Sequence, residues 1–507
     1  MTIINNTIFK QQAQQHRVIS IFDKMVLDTE TPMTVLHRFQ HKEEFVLLEG
    51  ISEHIKHDRF SYLGFDPHLK MTCFSDHFLI TDSNGHDTRH TGNLYDFIKE
   101  FLATYSSAQH EGLPYTCGLM GHLSYECVSF LEKVPCPKSR PLDTPYAEFM
   151  VPKSVLIFDN YFNTVTLVAN TILDSNSTPS SELDRYYNQA LERLKDIKRT
   201  ILSPITAPIT PLANELDPST AESIDYDCNI DKETFLGHVN TCKDYITNGD
   251  IFQIQVSRRA SMPFDGDPLM LYRYVRNYNP SPFLFYVKFN NAYLIGASPE
   301  ILVGVEKNKM TIRPLAGTRK RYSKTKTEDQ IIEELLADEK EKAEHIMLVD
   351  LARHDIGRAC QISSVKVTDL MSIEKYRHVM HIVSEVEGTL RPECDAVDAF
   401  KYGFPAGTVT GTPKIRAMEI IAELEQQQRE FYSGSVVYFD FNGNMKSAIT
   451  IRSMFLKDNR VYTQAAAGIV ADSVPELEFN ETEHKMRSCL MAMSQYGKTN
   501  SKEVNLL

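Results

Sequence analysis

Residues 403–420, which read GFPAGTVTGTPKIRAMEI, restrict the local fold more than any other stretch of the chain. The first half is rich in glycine, proline and threonine, which is typical of a tight loop whose backbone N–H groups can approach an anion closely. In the second half, Ile415, Met418 and Ala422 recur at helical spacing. Pro413 stands where the first turn of a helix tolerates proline. The stretch therefore predicts a loop that leads directly into a helix.

Such a junction is a potential anion site, to which the hydroxyls of Thr408, Thr410 and Thr412 could add donors. An ordinary loop-to-helix connection also explains the composition. The stretch lacks the GxGxxG spacing of a dinucleotide site, and Lys414 stands at the wrong position for a Walker A loop. Composition thus leaves both interpretations open.

Length and charge limit what the chain can bind. Its 507 residues allow two large domains or roughly three of ordinary size. The formal net charge of −13 argues against bulk binding to nucleic acid or an anionic membrane, because both need a cationic surface. We find no uncharged apolar run of transmembrane length and no apolar signal segment near the start. Nine cysteines without a CxxC pair favour reduced thiols, so we expect a cytoplasmic protein.

Composition also predicts the domain organisation. Residues 203–223 contain four prolines and no hydrophobic period, so they are interpreted as a linker. We therefore predict an N-terminal domain at residues 1–202, a second domain at residues 224–495 and a polar C-terminal tail at residues 496–507.

Two predicted helices each carry a pair of glutamates at i, i+3 spacing, which places both carboxylates on one helix face. These glutamates are Glu341, Glu344, Glu478 and Glu481. The first pair falls in a helix predicted over residues 328–347, and the second pair in one predicted over residues 475–493. Oxygen ligands from two helices suit Mg²⁺, although a solvated acidic face explains the same pattern.

The words PAGTV and PKIRAMEII, both near residues 403–421, resemble the signature of chorismate-using enzymes, in particular the anthranilate synthase component I family. The similarity covers residues 231–489 in dense motifs and residues 45–67 more thinly. It implies an α/β fold of the α+β type, in which large antiparallel β-sheets form a β-sandwich core with helices packed outside. It further implies that residues 224–495 bind chorismate and that residues 45–67 contribute to a regulatory pocket.

The resemblance gives four residues candidate catalytic roles: Glu300, His381, Thr408 and Gln253. Glu300 matches the general acid that protonates the hydroxyl leaving the substrate ring. His381 matches the catalytic histidine, and Thr408 matches a threonine that hydrogen-bonds the enolpyruvyl region. Gln253 stands where isochorismate-forming relatives carry a lysine that activates water. Because an amide cannot accept a proton at neutral pH, we expect an amine nucleophile rather than water.

Further positions match the family's substrate pocket: Ala316, Gly317, Thr318, Tyr432, Arg452, Gly468 and Lys485. Arg452 would bind one carboxylate of chorismate through its guanidinium fork, assisted by backbone donors near Gly468. The four glutamates match magnesium positions, so Mg²⁺ is the implied cofactor. Ala316 replaces a lysine common in aminodeoxychorismate synthases, which excludes a covalent route there. The chain departs from the family at Ala466, usually glycine, and at Arg377, usually serine.

Two short segments resemble the family's tryptophan feedback pocket: Glu49 with Gly50, and Pro282 with Phe283 and Leu284. Gly50 stands where the family has serine, and Leu284 where it has methionine. Losing a hydroxyl that holds a buried polar group of a ligand weakens binding by ~1–3 kcal/mol. We therefore expect weak or absent inhibition by tryptophan, although these strands could also serve only in packing.

The implied activity is that of the aminating subunit of anthranilate synthase. Such a subunit adds ammonia to chorismate with Mg²⁺ and then eliminates pyruvate to give anthranilate, the first step of tryptophan biosynthesis. Because no GxCxG nucleophile elbow occurs, we expect a separate glutamine amidotransferase subunit to supply ammonia within a hetero-oligomer. Three alternatives stay open: a 2-amino-2-deoxyisochorismate synthase that stops before pyruvate loss, an aminodeoxychorismate synthase, and a catalytically silent chorismate-binding paralogue.

Overall fold

The computed structural model describes most of the chain. The described residues are 4–50, 59–108, 110, 112–113, 115–205, 211–212, 224–279, 281–322, 325–376 and 379–497. Parts of several predicted features lie outside them: residues 51–58 of the regulatory region, residues 206–210 and 213–223 of the linker, residues 498–507 of the tail, and Arg377. The division of the chain into two domains stays a prediction.

The α-helices lie along the whole described chain. Their bounds are α1 (Asn6–Ala13), α2 (Pro32–Phe39), α3 (Leu94–Thr104), α4 (Ser180–Leu202), α5 (Lys232–Thr247), α6 (Pro268–Tyr278), α7 (Glu328–Ala337), α8 (Glu339–Ala359), α9 (Ala396–Gly403), α10 (Lys414–Glu425) and α11 (Pro475–Tyr496). Across the described residues, no helix combines the length and the apolar character that crossing a membrane requires.

The strands occur in runs between these helices. Their bounds are β1 (Val18–Val26), β2 (Phe45–Glu49), β3 (Phe60–Cys73), β4 (Phe78–Asp82), β5 (Asp87–His90), β6 (Gly118–Leu123), β7 (Ala147–Asp159), β8 (Thr164–Ile172), β9 (Asp227–Cys228), β10 (Gln253–Pro263), β11 (Phe283–Phe289), β12 (Ala292–Ser298), β13 (Ile301–Glu306), β14 (Lys309–Ile312), β15 (Leu315–Lys320), β16 (Lys366–Lys375), β17 (Val379–Thr389), β18 (Gly411–Thr412), β19 (Ser435–Asp440), β20 (Met445–Ile449), β21 (Ser453–Lys457) and β22 (Arg460–Ile469).

The strands pair antiparallel and divide into two branches at the long strand β7. One edge of β7 pairs with β3, while the other edge pairs with β6 at its start and with β8 at its end. From β3, one branch continues through β2, β11, β12, β21 and β22 to β10. From β6, the other branch continues through β19, β20, β13 and β14 to β17. Both branches end at strands that carry predicted site residues.

Three large apolar clusters hold the layers together. The central cluster contains buried side chains from both branches, among them Leu48, Phe285 and Val436. A second cluster packs the first branch against α1, α2, α4, α6 and α11, and a third packs the other branch against α3, α8 and α9. Burial of these apolar side chains is the main favourable term in folding. The predicted fold class, a β-sandwich core with helices packed outside, is confirmed.

Strands from either side of the predicted linker pair directly with each other. β2 pairs with β11, where Leu284 lies opposite Glu49. β6 pairs with β19, where Val436 lies opposite His122. The segments before and after the linker therefore share the same sheets, and the strands of the predicted regulatory region lie next to strands that lead into the predicted catalytic residues.

The helix predicted over residues 328–347 is instead two helices, α7 and α8. Asp338 separates them, because its backbone ψ of 106° cannot continue a helix. Its carboxylate then caps α8 by accepting hydrogen bonds from the backbone nitrogens of Lys340 (3.1 Å) and Glu341 (3.2 Å). Glu341 therefore lies in the first turn of α8, and Glu344 follows one turn later.

Candidate active site

Glu300 and Thr408 come from distant parts of the chain and meet in one hydrogen bond. Glu300 lies in the short connection between β12 and β13, and Thr408 lies in a single 3₁₀ turn before α10. Thr408 Oγ1 donates to Glu300 Oε1 at 2.8 Å. Burial raises the pKa of Glu300 to about 7, against the opposing effects of the Thr408 hydrogen bond and the charge of Lys485. Glu300 is therefore partly protonated near neutral pH, as a general acid must be.

The glycine-rich loop before α10 packs closely against a side chain of α8. A Cβ at Gly407 would lie only 2.0 Å from Cδ2 of Leu351, so any larger residue there would have to displace the Leu351 side chain. Of the three threonines, Thr408 faces the predicted acid, whereas Thr410 donates to the backbone oxygen of Ala406 at 2.9 Å. Pro413 caps α10 with an extended backbone, so this helix begins one residue later than predicted.

His381 lies on β17 beside the strand that carries Thr318. Its ring is buried, and Nδ1 lies 3.0 Å from Thr318 Oγ1. Burial, followed by the positive charge of Arg452, lowers the pKa of His381 to about 4. The imidazole is therefore neutral at physiological pH. In the same strand pairing, Ala316 lies opposite Ile382, so Ala316 and Thr318 border the histidine.

Gly317 brings the end of β15 close to the predicted metal ligands. It has a φ of +60°, a left-handed conformation that favours glycine. A Cβ at this position would lie 3.3 Å from Oε2 of Glu341. The histidine strand pair and the first acidic helix therefore meet at Gly317.

Gln253 and Gly468 lie at the end of the other branch. Gln255 lies opposite Gly468 in the pairing of β10 with β22. A Cβ at Gly468 would lie 3.2 Å from Gln253 Nε2 and 2.8 Å from Gln255 Nε2. Both side-chain amides therefore pack against the backbone of Gly468. This confirms that the two glutamines share one face of the strand, as alternation predicted.

The positive charges of the site come from Arg452 and Lys485. Arg452 Nη1 donates to the backbone oxygen of Lys485 at 3.2 Å, and no carboxylate among the described residues forms an ion pair with this guanidinium. Lys485 Nζ donates to the backbone oxygen of Ala466 at 2.8 Å and lies 2.6 Å from Glu481 Oε1. Burial raises the pKa of the neighbouring Tyr432 to about 12, so its hydroxyl stays neutral.

The four predicted metal ligands come from α8 and α11. Burial and then the charge of Glu341 raise the pKa of Glu344, and the charge of Glu481 adds to this effect. Burial and Glu481 likewise raise the pKa of Glu478. The two helices therefore bring their negative charges close enough to disfavour ionisation of each other's carboxylates.

These carboxylates are not arranged as a ready metal cage. Glu341 Oε1 lies 2.9 Å from Arg319 Nη1, and Glu481 is held by Lys485. Over the part of the chain that the structure describes, no three His, Cys, Asp or Glu side chains converge on one point suitable for a metal. The donor set has the hard oxygen chemistry that suits Mg²⁺, but a bound cation would have to displace Arg319 and Lys485 from their partners.

The two segments of the predicted feedback pocket lie side by side. Glu49 is buried and faces Leu284 across the β2–β11 pairing. Its carboxylate accepts hydrogen bonds from the Tyr272 hydroxyl and from Arg276 Nε, the latter at 3.0 Å. The backbone oxygen of Gly50 accepts a hydrogen bond from Asn160 Nδ2 at 3.3 Å. Pro282 and Phe283 are also buried.

Sequence reasoning missed the buried arginine that supports this site. Arg429 donates to the backbone oxygen of Val409, next to Thr408, at 2.7 Å and to that of Gln255 at 2.8 Å. It also forms a buried ion pair with Glu425 at 2.7 Å. The charged residues after α10 are visible in the sequence, but no spacing there indicates that one of them reaches back to the threonine loop.

A family model described as chorismate binding enzyme matches residues 52–491, and the chain belongs to this family. Within it, the chain is similar to anthranilate synthase component 1 of Acetivibrio thermocellus, at 39% identity over 96% of this chain and 98% of the relative. The corresponding protein of Aquifex aeolicus (strain VF5) is 38% identical over 96% of each chain.

The chain is also similar to solved structures. Anthranilate synthase component I from Streptococcus pneumoniae TIGR4 is similar at 36% identity with a TM-score of 0.74, over 92% of this chain and 99% of that one. The menaquinone-specific isochorismate synthase from Escherichia coli, at 18% identity and a TM-score of 0.69, shares the fold. These matches confirm the family resemblance that the sequence motifs indicated.

Proposed function

We propose that this chain is the aminating subunit of an anthranilate synthase, converting chorismate and ammonia to anthranilate and pyruvate. The observation that carries the proposal is the Glu300–Thr408 pair, which provides a carboxyl group with a pKa of about 7. The positive charge of Lys485 acts on this carboxyl, and the backbone oxygen of Lys485 accepts a hydrogen bond from Arg452. An acid with two neighbouring cations suits a dicarboxylate that must lose a hydroxyl group.

Arg452 is the proposed anchor for one carboxylate of chorismate. Burial lowers the pKa of its guanidinium, a cost that an anionic ligand would offset. Because no carboxylate among the described residues forms an ion pair with it, its fork remains available for two parallel hydrogen bonds. The neutral hydroxyl of Tyr432 borders the same position.

In the first chemical step, the nitrogen lone pair of ammonia forms a bond to the ring while the bond to the ring hydroxyl breaks. Glu300 gives its proton to that hydroxyl, which leaves as water. The neutral imidazole of His381 can then accept the proton lost from the aminated carbon as pyruvate departs and the ring becomes aromatic. Thr408 holds Glu300 in position for the first step.

Gln253 supports an amine nucleophile. Its side-chain amide cannot deprotonate water, so hydration at this position lacks a base. Ammonia needs no such base, because its lone pair is already available. Since the chain carries no GxCxG nucleophile elbow, we assign the release of ammonia from glutamine to a separate subunit.

Glu341, Glu344, Glu478 and Glu481 are the proposed ligands of Mg²⁺. Their crowded negative charge fits a hard dication. When bound, the cation supplies charge neutralisation for the second carboxylate of the substrate. Binding of the cation would replace the ion pairs that Arg319 forms with Glu341 and that Lys485 forms with Glu481.

The proposal is tested by incubating the purified chain with chorismate, Mg²⁺ and ammonium. We expect anthranilate fluorescence and an equimolar amount of pyruvate. An aminated product that is not aromatic would show that the reaction stops before pyruvate loss. Glutamine used as well as ammonium would contradict the separate glutaminase subunit, and chorismate recovered unchanged would contradict the activity itself.

A further inference from the structure

A small cavity lies against Glu300, and few of the predicted site residues contribute to it. Its volume is about 40 Å³, compared with the ~30 Å³ that one water molecule occupies in the liquid. Most of its walls are apolar, as at Leu302 and Leu351, and its polar lining side chains are Glu300, Thr408 and Asp355. Of the residues predicted for catalysis or substrate binding, only Glu300 and Thr408 line this cavity within the described chain. Glu300 and Thr408 are therefore the predicted site residues that border this cavity.

Asp355 lines this cavity and lies next to an exposed histidine. Its carboxylate, on α8, is 7% exposed, with Oδ2 lying 3.2 Å from Lys414 Nζ. Its Oδ1 lies 3.6 Å from Nδ1 of His354, whose side chain is 70% exposed. The charged groups around the path are thus Lys414 on α10 and His354 on α8, with Lys485 of α11 acting on Glu300.

The proposed function requires Glu300 to be protonated again after every turnover. Each amination moves one proton from Glu300 to the leaving hydroxyl, which departs as water, and leaves Glu300 as a carboxylate. The new carbon–nitrogen bond carries an ammonium group that releases its own proton to solvent. Glu300 must therefore regain one proton in each cycle.

We infer that this proton travels from His354 to Asp355 and then through one water molecule in the cavity to Glu300. The inference rests on the proposed function, because it concerns the acid of that reaction. The cavity supplies enough volume for the water, and the carboxylates of Asp355 and Glu300 supply hydrogen-bond partners. Asp355 acts through Glu300 and does not contact the substrate.

The competing explanation is structural. Asp355 and Lys414 could serve only to fasten α8 to α10, with the cavity left dry. In that case, replacing Asp355 would change stability and lower the rate to the same extent at every pH. A relay instead makes the rate depend on how fast protons reach Glu300.

The test compares Asp355→Asn with Asp350→Asn in the full chain. Asp350 is a matched control because it lies on the same helix and pairs with Arg353 at 2.9 Å on the exposed face. Anthranilate formation is measured with saturating ammonium, in H₂O and in D₂O, at increasing concentrations of imidazole buffer. For Asp355→Asn we expect kcat to fall about tenfold or more above neutral pH, with a larger solvent isotope effect. Imidazole should restore part of the rate, and the KM for chorismate should not change.

A loss of rate that is uniform with pH, with an unchanged isotope effect and no response to imidazole, would overturn the relay. If Asp355→Asn does not fold, His354→Ala provides the second variant because that ring is exposed. His86→Ala is its control, an exposed histidine in a similar contact with Asp82. We expect His354→Ala alone to lower kcat above neutral pH, and equal rates for the two histidine variants would exclude this entry point.

Glu300→Gln separates the failure of the relay from the failure of the proposed function. If Glu300→Gln retains activity, the proposed acid is wrong and the relay fails with it. If Glu300→Gln is inactive while Asp355→Asn matches Asp350→Asn, the proposed function stands and the relay alone is wrong.

Discussion

The hydroxyl of Thr408 is hydrogen-bonded to the carboxyl of Glu300, and this contact shifts the pKa of Glu300 in the direction opposite to the effect of burial. The hydrogen bond from Thr408 Oγ1 to Glu300 Oε1, 2.8 Å long, favours the ionised carboxylate. Burial acts more strongly the other way and raises the pKa of Glu300 to about 7. The length and position of the threonine loop therefore set the pH range in which the chain can protonate a leaving group.

Thr408→Val should move the alkaline limit of activity upward. Without the hydroxyl, the pKa of Glu300 rises, so the acid stays protonated to higher pH. We also expect kcat to fall about tenfold, because the carboxyl loses the contact that orients it. The measurement is the pH profile of kcat for anthranilate formation. Thr408→Ser, which keeps the hydroxyl, should resemble the parent, and an unmoved limit in Thr408→Val would contradict the role of the contact.

Glu300→Gln should abolish activity and yet stabilise the fold at alkaline pH. Burial raises the folded-state pKa of Glu300 above its ordinary value of 4.5 to about 7. The stability contributed by this carboxyl is therefore complete below its unfolded pKa and is lost as pH rises through its folded pKa. Glutamine avoids that loss, so we expect a gain of about 1–3 kcal/mol at alkaline pH.

The gain should disappear in acid, where Glu300 is protonated in both the folded and the unfolded state. Thermal unfolding measured on both sides of neutrality checks this. Glu339→Gln is the control, because the Glu339 side chain is 87% exposed. A Glu300→Gln chain no more stable than its parent at alkaline pH would show that the carboxyl is not held at a raised pKa.

Arg319→Met should strengthen the binding of Mg²⁺. Arg319 occupies Oε1 of Glu341, so a cation must first displace it. Since a partly exposed ion pair contributes about 0.2–1 kcal/mol, its removal should lower the apparent Kd for Mg²⁺ by up to about fivefold. Calorimetric titration with Mg²⁺ measures this directly. Arg353→Met breaks an exposed ion pair on α8, the helix that carries Glu341, and should not change the Kd for Mg²⁺. An equal effect of the two substitutions would show that Glu341 is not a ligand of Mg²⁺.

Gly50→Ser should make the chain more sensitive to tryptophan. The residue is buried directly after β2, next to Glu49, so a hydroxyl there would be added to the segment that the resemblance assigns to the feedback pocket. We expect the inhibition constant for tryptophan to fall by about tenfold or more, in line with one buried hydrogen bond. The assay is anthranilate formation at increasing tryptophan, with phenylalanine as the control ligand. An unchanged inhibition constant would mean that these strands serve only in packing.

Local sequence patterns are sufficient to predict those structural features that depend only on residues close together in the chain. Apolar residues at helical spacing coincide with α4, Ser180–Leu202, and Gly249, with a φ of +83°, stands directly after the C-cap of α5. Alternation along β10 placed Gln253 and Gln255 on one face. These features depend on side chains within one or two turns of each other, so a short window of sequence contains their cause.

Features that depend on contacts between residues far apart in the chain produce no local sequence pattern, so they could not be predicted. The backbone nitrogen of buried Arg429 donates a hydrogen bond at 2.8 Å to the carboxylate of Glu126, which comes from the other side of the predicted linker. The pairing of Asp355 with Lys414 likewise joins two helices that the sequence separates. The break at Asp338 was missed for a different reason, since a run of good helix formers hid a residue whose side chain could cap the next helix.

The β11–β12 hairpin joins the predicted feedback segment to the predicted acid. Leu284 belongs to that segment, and its neighbour Phe283 lies directly opposite Ser298, two positions before Glu300. Any occupant that pushes β11 outward by a fraction of an ångström therefore shifts the backbone that leads into the acid, without a domain rotation or a long relay of side chains. Inhibition of this enzyme would be a matter of one hairpin bending.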